Sequence, residues 1–253
     1  MSLIRREVIF RPSDTIRISY NYNTDVMKSI YYYLSIADKQ KEKFLHDVGY
    51  KVNNKPGFKL FNFTLLFKNA KFGSNDIEIN NNSKVILILS GKDDIINSIL
   101  KGLLHIKKIK ITDKDISLDD IVNVEKVNFK TIALYKALSP VVTTTNHEDG
   151  RIMHLRPYVD KYYINLAHNL KKKYSIIYDE EFEGPLYFDI DNVIDMKKKK
   201  HRVNNFFKVG FLYNLWIETT PKMHEIIYYL GLGENNSTGA GCMSLIKVGD
   251  SDE

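Results

Sequence analysis

Apolar and polar residues alternate along the first half of the chain in a pattern that predicts a series of short strands and two helices. β-Prone segments at 3–10 and 16–20 precede a helix that begins near Asp25, and an aromatic strand at 58–67 follows. Two further strands, an amphipathic helix in "DDIINSILKGLL" and a strand in "IKKIKI" complete the half. The second helix is predicted to bury one face: Ile95, Ile96, Ile99, Leu100, Leu103 and Leu104. The predicted order is approximately β-α-β-β-α-β.

The second half of the chain repeats this order. A β-prone segment that ends at Pro140 precedes a helix in "YVDKYYINLAHNLKKKY", two strands around a basic turn, a short helix and a last strand, "CMSLIKV". Thr220 and Pro221 are the residue types expected at the N-cap and first position of that short helix. Because β-α-β-β-α-β is the ferredoxin-like unit, we expect an α+β fold of two tandem ferredoxin-like domains with antiparallel sheets. The acidic segment "TDKDISLDD" is the predicted boundary, which gives domains at 1–120 and 121–253.

Composition and charge narrow the class of protein. A chain of 253 residues with 43% hydrophobic residues is long and apolar enough to fold, which excludes a disordered chain. Its 37 Lys and Arg against 31 Asp and Glu give a net charge of +6, which favours a polyanionic partner. A single cysteine, Cys242, excludes an intramolecular disulfide, and no apolar run has the length of a membrane span. We therefore expect a cytoplasmic protein without a membrane partner.

One loop of the second half has no counterpart in the first. The segment "GLGENNSTGAG" at 231–241 separates the last helix from the last strand, where the first half has only "HIKK". Glycine permits positive φ and lets an anion approach backbone N–H groups, so Gly231, Gly233, Gly239 and Gly241 could bind phosphate. The alternative, equally consistent with the spacing, is that Gly231 ends the helix and the other glycines shape a tight turn.

The spacing of this glycine-rich loop makes a family resemblance specific. Tandem ferredoxin-like domains with a terminal G-x-G-x(5)-G-x-G loop resemble the RAMP superfamily, in particular the CRISPR-associated endoribonucleases that process precursor CRISPR RNA. The segments "KSIYYYL", "FLHDVG", "FKLFNFTLLF" and, more weakly, "LSPVV" extend the resemblance over most of the chain. It implies that the substrate is CRISPR repeat RNA, cut without a metal or cofactor. The RNA's own 2′-hydroxyl attacks, leaving a 2′,3′-cyclic phosphate and a 5′-hydroxyl.

The resemblance implies three catalytic residues. It places the catalytic histidine at His46, the lysine at Lys59 and the tyrosine in the run at 31–33. A histidine can take or give a proton near neutral pH because its ordinary pKa is about 6.5, and a lysine stabilises negative charge. Whether His46 is the acid or the base stays open. The segment "DVGYKVNNKPGF" is longer than in the family, which leaves open whether His46 and Lys59 meet.

Helical spacing selects among the tyrosines. Val26, Ile30, Tyr33 and Leu34 fall on one face and form the predicted buried stripe, so Tyr31 is the tyrosine expected to face the RNA. Tyr50, which follows His46 by one helical turn, is a second candidate. Either tyrosine has the alternative of ordinary packing.

RNA binding is assigned to two regions. The run "MKKKKHRV" is predicted to form a basic turn between two strands that grips the RNA backbone, with a solvated hairpin tip as the alternative. The glycine-rich loop is the second region. The predicted RNA-binding residues are Lys197, Lys198, Lys199, Lys200 and Arg202 in the run, and Gly231, Gly233, Asn235, Asn236, Ser237, Gly239 and Gly241 in the loop.

Two other functions remain open. A RAMP subunit of an effector complex would hold CRISPR RNA without cutting it, although such a protein needs no histidine at position 46. A metal-dependent nuclease would use Asp189 and Asp191, which alternate on a predicted strand and so project to one side. CRISPR effector-complex proteins and a second copy of the chain are further partners that the sequence leaves open.

Overall fold

A computed structural model of the chain describes residues 1–51, 57–203 and 206–249. The first half forms a five-stranded antiparallel sheet in the order β3-β6-β1-β8-β7, beside a small sheet of β2, β5 and β4. The elements are β1 (Leu3–Arg11), β2 (Ile16–Ser19), α1 (Asn23–Ala37), α2 (Lys39–Lys43), a π-helical turn (Phe44–Val48), β3 (Phe61–Lys68), β4 (Lys71–Phe72), β5 (Asp76–Ile79), β6 (Lys84–Lys92), α3 (Asp93–Ile106), β7 (Lys108–Ile111) and β8 (Lys114–Asn123).

The second half forms another antiparallel sheet, in the order β12-β14-β9-β15, with β13 paired to β14 as well. The elements are β9 (Ile132–Ala137), β10 (Thr144–Asn146), β11 (Ile152–His154), α4 (Asp160–Tyr178), β12 (Leu186–Phe188), β13 (Ile194–Val203), β14 (Phe206–Thr219), α5 (Pro221–Leu230), a 3₁₀ turn (Asn236–Thr238) and β15 (Met243–Gly249). The α5 N-terminus is as predicted, because the Thr220 hydroxyl accepts a hydrogen bond from the Met223 N–H and Pro221 is the first residue.

Each sheet has the strand order of a ferredoxin-like domain. In the first half β3, β6, β1 and β8 take this order, and in the second half β12, β14, β9 and β15 take it. The predicted fold of two tandem ferredoxin-like domains is therefore confirmed. The predicted apolar stripe of α1 is buried in the core, and it consists of Val26, Ile30, Tyr33 and Leu34.

One strand of the first domain was assigned wrongly from the sequence. The segment "IKKIKI" contributes β7 at the edge of the sheet, whereas the strand that pairs with β1 is β8. The predicted boundary segment "TDKDISLDD" thus lies mostly within β8. Ile116 is buried and Leu118 is half-buried, while Asp115 before them and Asp119 and Asp120 after them are exposed. This alternation is typical of a half-buried strand, but the acidic residues on its outer face make the segment resemble a loop in sequence.

Helix α3 buries a narrower face than predicted. Ile95, Ile96, Ile99 and Leu103 are fully buried, but the side chain of Leu104 is 52% exposed. The buried face of α3 includes Gly102, whereas Leu104 was expected on that face and lies outside it. A Cβ atom on Gly102 would overlap the backbone carbonyl oxygen of Tyr33, so the absence of a side chain lets α3 approach α1 closely.

The second domain packs against the first through buried residues of both. The Arg5 guanidinium lies 3.6 Å from the centre of the Tyr228 ring and donates a hydrogen bond to the Tyr228 carbonyl. Ile86 and Ile88, on the face of β6 opposite its own domain core, form a second apolar cluster with Cys242. Within the described ranges, none of the helices combines the length and apolar character that crossing a membrane would require.

We predict that Gly102→Ala lowers the free energy of unfolding by about 1–3 kcal/mol, because the new methyl group forces α3 away from α1. Lys101→Ala, at an exposed position of the same helix, is the control and should change stability by less than about 0.5 kcal/mol. Denaturant unfolding of both variants measures the difference. Equal stabilities would contradict the close approach of the two helices.

Candidate active site

His46 lies in the π-helical turn that follows α2, with its side chain 68% exposed. Its Nδ1 atom lies 2.7 Å from an Asp47 carboxylate oxygen. The hydrogen bond with His46 lowers the pKa of Asp47, so this carboxylate is ionised and acts as the acceptor. Because the Nδ1–H is then donated to Asp47, Nε2 is the ring nitrogen that can exchange a proton with a substrate.

The structure brings Lys59 to His46. The Lys59 ammonium donates a hydrogen bond of 3.0 Å to the backbone carbonyl of His46. Two backbone hydrogen bonds between Tyr50 and Phe58, of 2.7 and 2.8 Å, close the long segment that separates these residues in sequence. Partial burial lowers the pKa of Lys59, and the nearby Asp47 carboxylate opposes that shift. The long insertion therefore does not prevent the meeting of His46 and Lys59.

Tyr31 is the tyrosine of its run that contacts His46. The two rings meet edge to face with centroids 5.8 Å apart, and Tyr31 also packs against Phe61 at 6.2 Å. Burial raises the pKa of Tyr31 to about 12, so its phenol is neutral near pH 7 and can donate a hydrogen bond. Tyr33 is buried in the core, as predicted.

The other tyrosine candidate has a different set of contacts. The Tyr50 hydroxyl accepts a hydrogen bond of 3.2 Å from the Lys92 ammonium. Its ring packs against Phe44 with centroids 5.2 Å apart. Since Tyr50 pairs with Phe58, its contacts hold the segment that carries Lys59.

A cleft of about 480 Å³ lies between the two domains beside these residues. One wall is the segment at 57–61, which includes Lys59, and the opposite wall includes Asn235, Asn236 and Ser237 of the glycine-rich loop. His46 adjoins this candidate catalytic cleft through its hydrogen bond with Lys59. Lys59 and the loop, far apart in sequence, thus line one space, and His46 and Tyr31 lie beside it.

The four glycines of the loop are buried, and all have φ between 66° and 89°. A Cβ atom on Gly241 would overlap the Leu232 carbonyl oxygen, and one on Gly233 would lie 2.5 Å from the Val142 carbonyl oxygen. Of the two interpretations of the loop, this geometry matches the tight turn, with Gly231 directly after the last helix.

The glycine N–H groups bond mainly within the protein. Those of Gly231, Gly239 and Gly241 donate to the carbonyl oxygens of Ile227, Asn236 and Pro140, respectively. These three N–H groups are therefore engaged in holding the fold. RNA contact by the four glycines stays a prediction, and Asn235 and Ser237 are better placed to make it because they line the cleft.

The basic run is a strand and not the turn that the sequence suggested. Residues 197–203 pair with β14 residue by residue, because β13 continues through the lysines. Lys199 and Lys200 line a second cleft between the domains, of about 440 Å³, together with Tyr20, Tyr22 and Gly239 among other residues. The exposed lysines of the run are Lys197, Lys198, Lys199 and Lys200. The Arg202 guanidinium lies 5.5 Å from the centre of the Phe207 ring.

Asp189 and Asp191 do not form the strand pair that the sequence suggested. Strand β12 ends at Phe188, so both carboxylates follow it in a turn, where the Asn192 amide donates to both carboxylate oxygens of Asp189 at 3.0 Å. Among the residues that the structure describes, no group of three or more His, Cys, Asp or Glu side chains is arranged to hold a metal ion.

Lys173 lies under the glycine-rich loop, a buried position that the sequence, with Lys171 to Lys173 read as a basic helix end, did not predict. Its side chain is 2% exposed, and its ammonium donates to the Gly231 and Gly233 carbonyls and to the Asn236 side chain. Burial lowers the pKa of Lys173 to about 7. The spacing offered a signal, because Lys173 shares the apolar stripe of α4 with Leu170 and other buried residues.

The chain is similar in sequence to proteins of known family. Residues 123–245 match the family model described as CRISPR associated protein Cas6, C-terminal. A curated relative from Methanocaldococcus jannaschii, CRISPR-associated endoribonuclease Cas6 1, is 26% identical over 252 residues, covering 94% of this chain and 91% of the relative. A second protein of that organism, CRISPR-associated endoribonuclease Cas6 2, is 23% identical over 218 residues, covering 78% and 85%.

Solved structures share the fold. A Cas6-related protein from Pyrococcus furiosus has a TM-score of 0.83 at 20% identity, covering 97% of this chain and 99% of the other. A RAMP protein that binds different RNA substrates has a TM-score of 0.84 at 21% identity, covering 96% and 100%. The resemblance found in the sequence is thereby confirmed: residues 123–245 match a Cas6 C-terminal family model, and the chain is similar over most of its length to Cas6 endoribonucleases in sequence and to Cas6-related and RAMP proteins in fold.

Proposed function

We propose that this protein is a cytoplasmic endoribonuclease that cuts precursor CRISPR RNA within its repeats. The observation that carries the proposal is the gathering of His46, Tyr31 and Lys59 beside a cleft whose far wall is the glycine-rich loop. Curated relatives named as CRISPR-associated endoribonucleases support the same activity. We propose that residues 1–120 carry the catalytic groups and residues 121–253 contribute most of the RNA-binding surface.

The proposed reaction is a metal-independent transesterification. The 2′-oxygen of the RNA attacks the adjacent phosphorus and loses its proton, the bond from phosphorus to the 5′-oxygen breaks, and the 5′-oxygen takes up a proton. The products are a 2′,3′-cyclic phosphate and a 5′-hydroxyl. Nε2 of His46 makes one of the two proton transfers, because Asp47 holds its other ring nitrogen.

The neighbours of His46 supply charge and orientation in this proposal. The Lys59 ammonium stabilises the negative charge that develops on the phosphorane oxygens. Tyr31 is a neutral donor because burial raises its pKa, so it orients the phosphate or His46 and does not act as a base. Asn235 and Ser237 hold the RNA on the opposite wall of the cleft.

The rest of the RNA is proposed to follow the basic strand β13. Its exposed lysines contact phosphates without reading sequence, and the cleft that Lys199 and Lys200 share with Tyr20 and Tyr22 offers aromatic surface for bases. A related RAMP protein that binds different RNA substrates supports RNA binding by this fold. Effector-complex proteins and a second copy of the chain remain candidate partners.

We predict that cleavage of the repeat RNA in EDTA is lost in His46→Ala, with a rate at least about 100-fold lower, because one proton transfer loses its group. The substrate is RNA with the repeat sequence of the CRISPR array in the genome that encodes the protein. The matched control is His105→Ala, an exposed histidine on α3, which should cut at the wild-type rate.

Three outcomes of this experiment separate the functions. Cleavage that persists in EDTA and disappears in His46→Ala supports the proposal. Tight binding of intact RNA by the wild type would instead indicate a non-cutting RAMP subunit. Cleavage that requires added Mg²⁺ or Mn²⁺ and depends on Asp189 and Asp191 would indicate the metal-dependent alternative.

We also predict that replacing Lys199 and Lys200 together with glutamine weakens RNA binding and lowers the slope of log Kd against log salt concentration by about 1–2. The control replaces Lys101 and Lys171, which are exposed on helices outside the two clefts, with glutamine. Filter binding across a salt series measures both slopes. If both double variants lose RNA affinity equally, the lysines of the strand contribute only to the overall positive charge of the protein and not to a specific RNA contact.

A further inference from the structure

The ammonium of Lys173 makes three hydrogen bonds beneath the glycine-rich loop. It donates to the Gly231 carbonyl at 2.8 Å, the Gly233 carbonyl at 3.1 Å and the Asn236 side-chain oxygen at 2.8 Å. An ammonium has three N–H donors, so this set uses its full capacity. The three acceptors come from residues 231, 233 and 236, at the start and in the middle of the loop. The single buried ammonium of Lys173 therefore holds these parts of the loop in fixed positions.

The loop residues held by Lys173 are continuous with the wall of the candidate catalytic cleft. The Asn236 amide nitrogen also donates to the Leu232 and Ala240 carbonyls, at 3.3 and 3.0 Å, so its side chain spans the loop. Asn235 and Ser237, on either side of Asn236, line the cleft opposite Lys59. The position of the cleft wall therefore depends on the network around Asn236.

Other charged groups surround this network. Glu234 accepts hydrogen bonds from the Thr144 backbone and hydroxyl, at 2.9 and 2.8 Å, and its charge opposes the lowering of the Lys173 pKa. Lys208 of β14 donates to the Asn235 side chain. His154 of β11 lies near both Lys208 and Glu234, since the charges of these two residues shift its pKa in opposite directions. Lys59 faces the network across the cleft.

We propose that Lys173 is a positioning residue for RNA binding, whose ammonium holds the Gly231 and Gly233 carbonyls and Asn236 in the arrangement that presents Asn235 and Ser237 to the RNA. This inference rests on the proposed function. Lys173 lines the cleft, but it is only 2% exposed and its three N–H donors are all used within the protein, so it acts on the RNA through the loop. A side chain of similar length without N–H donors would leave three buried acceptors without a partner, and the loop would rearrange to reach water.

The buried position also makes the network sensitive to pH. Burial lowers the Lys173 pKa to about 7, so the free protein holds a mixture of ammonium and neutral amine near neutral pH. The neutral amine has two N–H donors and leaves one acceptor unpaired. RNA phosphates in the adjacent cleft favour the charged form, so binding takes up a proton. Affinity is therefore highest below pH 7 and falls as the pH rises through 7.

The first test compares Lys173→Met with Lys171→Met, an exposed lysine on the same helix. The ligand is repeat RNA from the CRISPR array of the source genome, and Kd is measured in the His46→Ala background so that no RNA is cut. We expect Lys173→Met to weaken binding about tenfold or more and Lys171→Met to weaken it less than about threefold. With His46 present, the single-turnover rate at saturating RNA should stay within about threefold of wild type. Wild-type affinity in folded Lys173→Met would overturn the proposal.

The second test follows Kd between pH 6 and pH 8 in the same background. We expect an affinity loss of about fivefold in the parent protein and none in Lys173→Met. His154→Gln removes the imidazole beside the network, whose pKa is lowered by burial, and this variant should keep the pH dependence. If the pH dependence of Kd persists in Lys173→Met or vanishes in His154→Gln, a group other than Lys173 causes it, and the proposal is contradicted.

Hydrogen exchange of the loop amides separates this inference from the proposed function. In RNA-free protein, amides at 231–241 should exchange about tenfold faster in Lys173→Met than in Lys171→Met. If the wild type neither binds nor cuts the RNA, the proposed function fails, and the exchange rates still decide whether Lys173 holds the loop. If Lys173→Met does not fold, a parent protein whose RNA affinity is constant from pH 6 to pH 8 overturns the proposal.

Discussion

The backbone of the glycine-rich loop packs so closely against both domains that side chains are excluded from its turning points. A Cβ atom on Gly239 would lie 2.7 Å from the Asn23 side chain of α1, and one on Gly231 would lie 2.8 Å from the Asn62 side chain of β3. On the other side, Gly233 approaches the backbone of the second domain at Val142. Both clefts include residues of this loop in their walls, so their shapes depend on this packing.

The candidate site divides its tasks between the domains. The first domain supplies His46 from the π-helical turn, Tyr31 from α1 and Lys59 from the segment before β3. Contacts of His46 with the other two hold them near one another. The second domain supplies basic surface on β13 and a loop wall that Lys173 ties together from below. In the proposed function, this separation lets the second domain hold the RNA rigidly while His46 stays exposed to it.

The sequence predicted local structure and its repetition well, because apolar spacing and caps such as Thr220 are local signals. It failed where tertiary neighbours decide. The acidic outer face of strand β8 makes its sequence resemble a linker, and the lysine run of β13 resembles a turn although pairing with β14 extends it as a strand. The place of Lys173 on the apolar stripe of α4 signals its burial, but its role could not be predicted because its three acceptors come from a loop nearly sixty residues away.

The source of the oxygen atoms in the product tests the account's central claim most directly. Cleavage of the repeat RNA in water enriched in ¹⁸O, followed at once by mass spectrometry of the upstream fragment, reports which nucleophile attacked phosphorus. Attack by the RNA's own 2′-hydroxyl gives a cyclic phosphate that contains no oxygen from the solvent, and this is the predicted result. An upstream or downstream fragment whose terminal phosphate has gained one solvent oxygen would show direct attack by water and would contradict the account.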